Sequence, residues 1–111
     1  MTADYPRFMV AVARKFITVR SPDDGQEGLA AFWRKATARK VARRTPGAVV
    51  VEATQGMFVE AIRKAHEMGV PWLYVGSDLP VGVDFRRVPL AMAVWQYAVD
   101  GQHRQGAGEE R

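Results

Sequence analysis

The hydrophobic pattern is densest over residues 48–78, AVVVEATQGMFVEAIRKAHEMGVPWLYVGSD, which read as strand, helix, strand. Residues 48–53 form an almost unbroken apolar run, the pattern of a strand covered on both faces. Over residues 55–68, Phe58, Ala61, Ile62 and Ala65 recur at helical spacing, with Thr54 placed to cap the start and Gly69 the end. Glu60 and Lys64 stand i,i+4 on the outer face in the favourable order. A second strand covers 72–76, after Pro71. A six-residue strand and a thirteen-residue helix both run about 20 Å, at roughly 3.3 and 1.5 Å per residue. The matched lengths predict a right-handed parallel βαβ unit.

The flanks are less regular. Tyr5, Phe8, Met9, Val12 and Phe16 fall at helical spacing opposite Arg7, Ala11, Arg14 and Thr18. This reads as a helix to about Lys15 and a short strand over 16–20, with an added strand left open for 5–20. Residues 26–43 read as one long helix striped by Leu29, Phe32, Trp33 and Ala36 and stopped by Thr45-Pro46-Gly47. Its second half carries cations on several sides and is expected to project past the body. Residues 83–88 alternate only partly, as an edge strand does, and Pro89 opens a last helix over 90–100 that Gly101 ends. That helix is apolar nearly all round, the pattern of a fully buried helix or of one that is half of an oligomer interface, and the small domain favours the interface. Leu90, Val94, Tyr97 and Ala98 are expected inward, and Met92, Trp95 and Val99 at a dimer contact. Residues 102–111 are rich in Gly, Gln and charge and are expected to form a disordered tail.

These elements predict an α/β fold. The expectation is a small three-layer domain over 1–101, with a short, mostly parallel sheet of three to four strands round the central βαβ unit. Its 111 residues suit one domain, and 48% hydrophobic with 25% charged residues is ordinary for a globular chain. Cysteine is absent, which excludes disulfides, Cys-ligated zinc, iron–sulfur clusters and thiol catalysis. The opening MTADYPRFMV lacks the basic-then-apolar layout of a signal peptide, and no apolar stretch nears the roughly 18 to 20 residues of a membrane span. A cytoplasmic address with no membrane contact is the expectation. The net charge of +4 raises nucleic acid or another acidic partner.

Two constellations carry candidate chemistry. If the strands of the central unit are parallel, the loops after them share one rim, bringing Glu52, Thr54, Gln55, Ser77 and Asp78 toward one crevice. Glu52 and Asp78 are the candidate catalytic residues there; the structural alternative is a helix cap, a turn and a solvated strand end. Val49-Val50-Val51-Glu52, a helix, then Leu73-Tyr74-Val75-Gly76 resembles the opening of a Toprim domain. The resemblance covers under a third of the chain. It implies acid–base or metal chemistry at the strand-end glutamate, as in topoisomerases, primases and related nucleases. The family's later Asp-x-Asp pair is missing, leaving isolated Asp78 and Asp84.

The second constellation is basic: Arg34, Lys35, Arg39, Lys40, Arg43 and Arg44, with Arg14 and Lys15 upstream. Clustered cations displace counterions from phosphates, and arginine adds bidentate pairing. The alternative is a solvated face whose cations offset the helix dipole. His66 and His103 stand at no metal-ligand spacing, and no serine-nucleophile, Walker or dinucleotide signature occurs. No cofactor or metal is expected. The reading is a small dimeric binding or accessory protein rather than an enzyme, gripping nucleic acid or an acidic protein through its basic helix. A small enzyme or ligand-binding protein using the Glu52/Asp78 rim, and an interaction subunit acting through its last helix, are the alternatives.

Overall fold

The computed structural model of the chain describes residues 4–99. The segment expected to be helical up to about Lys15 is not helical. Strand β1 (Phe8–Val12) turns through Ala13 and Arg14 into β2 (Lys15–Phe16) and β3 (Thr18–Arg20). Val12 pairs with Lys15, leaving a two-residue loop, and both loop residues hold positive φ, 51° at Ala13 and 67° at Arg14. That is the mirror-image turn whose twist suits a tight hairpin. The helical spacing of the apolar residues is overridden by strand pairing, which extends past the start of β1: Ala53 N–H donates to Arg7 O at 2.7 Å, and the Tyr5 hydroxyl donates to Ala53 O at 2.8 Å.

The expected helix over 26–43 divides into strand β4 (Glu27–Phe32) and helix α1 (Lys35–Arg43). In β4, Gly28 to Phe32 are all buried, with side chains alternating between two cores. Leu29 and Ala31 join Met9, Phe58, Ile62 and Leu73, whereas Ala30 and Phe32 join Val10 and Ala38. The chain then forms β5 (Ala48–Glu52), α2 (Gln55–Glu67), β6 (Trp72–Asp78), β7 (Val83–Pro89) and α3 (Leu90–Ala93), which continues as a π-helical stretch, Val94–Val99. The local signals of the central segment hold: Thr54 Oγ1 accepts from Met57 N–H at 3.2 Å, and Gly69 takes φ 83° past the helix end.

The sheet corrects the expected architecture. It has seven strands and is mostly antiparallel, rather than three to four mostly parallel strands, because only β4 and β6 form a parallel ladder. Across the sheet the order is β5-β1-β4-β6-β7, with the β2–β3 strand wedged where β1 and β4 diverge. At the wedge point Ile17 N–H donates to Val10 O at 2.9 Å and Ala30 N–H to Ile17 O at 3.3 Å. The crossover β5–α2–β6 therefore passes over β1 and β4 instead of joining neighbours. β5 lies at the edge with Val49 59% exposed, not covered on both faces. Helix α1 covers one face, and α2 with α3 the other.

Glycines set the β4–β6 spacing. A Cβ at Gly28 would collide with the Tyr74 ring, and one at Gly76 with the Phe32 ring. The two strands exchange a large aromatic over a glycine in each direction, which fits a ring flat against the sheet. Among the described residues no helix is long and apolar enough to cross a membrane. The tail 102–111 and the Val99 side chain lie outside the described residues.

Candidate functional site

Helix α1 follows directly on β4 and runs back across the sheet to the turn before β5. Thr37 and Ala38 are its buried residues, and Val41 and Ala42 pack against the same core. Nine residues span about 13 Å. Lys35, Arg39 and Arg43 stand i,i+4 on the exposed side, with Arg34 at the N-cap and Arg44 at the C-cap exposed too. Among the described residues Arg34, Lys35, Arg39, Arg43 and Arg44 make no ion pair. Lys40 is the exception: its Nζ pairs with Asp78 Oδ1 and donates to Leu79 O at 2.9 Å. The basic segment does not project past the domain; it lies on the sheet.

The two ends of α1 differ electrostatically. Lys40 and Arg43 in the last turn offset the negative end of the helix dipole. Arg34 and Lys35 oppose the positive end, where the first turn has no acidic residue and the N-cap has no side-chain hydrogen bond. A Ser or Asp cap is worth about 1 kcal/mol at that position. Helix stability therefore does not account for Arg34 and Lys35.

The rim does not assemble. One transverse row of the sheet reads Glu52, Phe8, Phe32, Gly76, Phe85. Glu52 is thus three strands from Gly76, about 14 Å at the usual strand spacing. Asp78 lies two residues further on and is occupied by Lys40. The strands β5 and β6, expected to join as a parallel βαβ unit, do not pair with each other, and among the described residues no three metal-ligating side chains gather. Thr54 is committed to its helix cap.

Two features escape the sequence reading. Trp33, expected in an apolar helix stripe, stands 43% exposed in the link between β4 and α1. An open cavity of about 530 Å³ lies on the α1 face, bordered by the 21–24 turn, Tyr74, Phe85 and Arg87. Arg87 donates twice to Asp24, each at 2.9 Å, and to the Tyr74 hydroxyl at 3.0 Å, with its guanidinium 4.4 Å from the Trp72 ring centre. The Arg87 hydrogen bonds and the Gln26 N–H hold the Asp24 carboxyl down at about 2. The Tyr74 hydroxyl donates onward to Gln26 O at 2.8 Å. This network ties the turn to β7 and consumes its own charges. No local pattern links residues 24 and 87, although the Ser21-Pro22-Asp23-Asp24-Gly25 turn cluster is visible.

On the last helix, Leu90, Ala93 and Ala98 are buried, Val94 and Tyr97 pack against the core, and Met92 and Trp95 are each 62% exposed. Burial pushes the Tyr97 hydroxyl above its ordinary value, with the Asp4 charge adding to the shift. Comparison with known proteins finds no family model that matches the chain and no curated protein similar to it.

Proposed function

We propose that the chain is a binding protein whose α1 face takes a polyanion, nucleic acid first, as a cytoplasmic accessory factor rather than an enzyme. One observation carries the reading: three cations on a nine-residue helix and one at each of its caps stand without an ion pair among the described residues, two of them at the end where they oppose the helix dipole. A phosphate chain supplies the missing negative charge along the helix and at its N-terminal end together. An acidic protein surface is the competing partner of the same chemistry. The test is a variant with Arg34, Lys35, Arg39 and Arg43 changed to Ala, which leaves the Lys40–Asp78 pair in place. It folds, and its nucleic-acid affinity at low salt drops by two orders of magnitude or more. Undiminished affinity in this variant contradicts the proposal.

A second reading concerns assembly. Met92 and Trp95 leave two large apolar side chains open on the side of this element turned away from the core, the composition of an interface anchor. A homodimer through this face predicts a dimeric mass by light scattering at micromolar concentration and a monomer for Trp95→Ala. A monomeric wild-type chain removes it.

A further inference from the structure

We infer that the polyanion is a single-stranded nucleic acid, running from Trp33 along α1 and round the end of the sheet to the β1–β2 hairpin tip, Arg14 and Lys15; this rests on the reading of α1 above. Register supplies the path. Helix α1 ends in the turn closed by Ala48 N–H to Thr45 O at 3.1 Å, and Ala48 pairs with Val12. The hairpin tip begins at the next residue. Trp33 thus stands at one end of α1 and Arg14 beyond the other, over about 25 Å in all.

The tip carries its own independent signal. Both residues of the two-residue turn hold left-handed backbone, yet neither is the Asn-Gly or Asp-Gly that such turns favour. Left-handed conformation costs a residue with a Cβ roughly 1 kcal/mol or more. Strain of this kind persists where the side chain does something that glycine does not. Here it displays Arg14 beside Lys15, both exposed and neither in an ion pair among the described residues. The two also border an open cleft of about 580 Å³ against α2, where Arg14, Lys15 and Lys64 outnumber Glu27 and Glu60. The tip therefore serves the face opposite α1.

Geometry and chemistry select the single strand. A track that leaves one face and turns round the sheet end within about 25 Å suits a flexible chain, not a duplex with a persistence length of about 150 base pairs. Exposed Trp33 next to Arg34 and Lys35 supplies the aromatic platform on which unpaired bases stack between phosphate contacts.

The experiment titrates the full chain against a labelled oligothymidylate of about 15 nucleotides, within the roughly 4 to 16 of one single-strand site, and against a duplex of equal length. Three variants accompany it: the α1 quadruple alanine variant, Ala13→Asn/Arg14→Gly, and Trp33→Ala beside Trp33→Phe. The wild type prefers the single strand. Ala13→Asn/Arg14→Gly melts higher, because its turn is relaxed, yet binds about fivefold more weakly at 0.1 M salt, the loss for one phosphate contact at a slope of about 0.7. Trp33→Ala binds at least fivefold more weakly and Trp33→Phe recovers most of that. Equal or tighter duplex binding overturns the inference. So does full affinity in both the hairpin and the Trp33→Ala variants while the α1 variant loses binding, an outcome that leaves the α1 reading standing. Full affinity in the α1 variant removes both.

Discussion

Arg34 shows how a single residue separates stability from function. It fills an N-cap with extended backbone, φ −123° and ψ 138°, the geometry a Ser or Asp would use to accept an N–H. Arg34→Asp is expected to stabilise the fold by about 1 kcal/mol, through the cap and the dipole together. The same change weakens polyanion binding by removing one cation and adding an anion. Thermal melts and anisotropy titrations of this variant should therefore move in opposite directions; a loss on both scales would show that Arg34 holds the helix. Residue-level signals read well where they were local. Thr54, Gly69 and Pro89 mark element ends in the chain and do so in the fold. Trp33 did not read well, because a helical stripe assigned it inward and the helix starts two residues later.

Among the elements, β4 is where the sequence misleads. Glu27-Gly28-Leu29-Ala30-Ala31-Phe32 is poor in β-branched residues and rich in alanine, so intrinsic propensity favours a helix. Its strand state is set from outside, by β3 on one side, β6 on the other, and rings laid over its glycine partners. Gly28 leaves room for the Tyr74 ring, as Gly76 of β6 does for the Phe32 ring. Gly28→Ala tests this: its Cβ meets the Tyr74 ring, whose hydroxyl is tied to Gln26 and Arg87 and cannot swing freely. A loss of about 1 to 3 kcal/mol in urea unfolding is expected. A neutral result would mean that the ring relaxes without cost. The segments 48–52, 55–67 and 72–78 were legible because their periods, lengths and caps agree with one another. β1 was not, since five apolar residues at helical spacing also fit a strand buried by unrelated partners.

At the scale of the molecule, the pairing pattern was the illegible part. Matched lengths made β5–α2–β6 look like neighbours, yet β1 and β4 enter between them from earlier in the chain. That insertion rearranges both sets of candidate residues. It holds Glu52 about 14 Å from Gly76, leaves Asp78 to Lys40, and dissolves the expected crevice. It also lays α1 over β1 and β5, which brings the helix C-terminus next to the hairpin tip. The basic residues named from sequence thus gain a surface, while the acidic ones lose a site. The central claim is that this surface binds a polyanion by charge. The most direct measurement is the affinity for oligothymidylate as a function of salt, wild type beside the α1 quadruple alanine variant. Log affinity should fall with log salt at a slope of about −3 to −5, and the variant's slope should be shallower by about 3, at roughly 0.7 per lost phosphate contact. A flat salt dependence in the wild type, or the same slope in both proteins, contradicts the account.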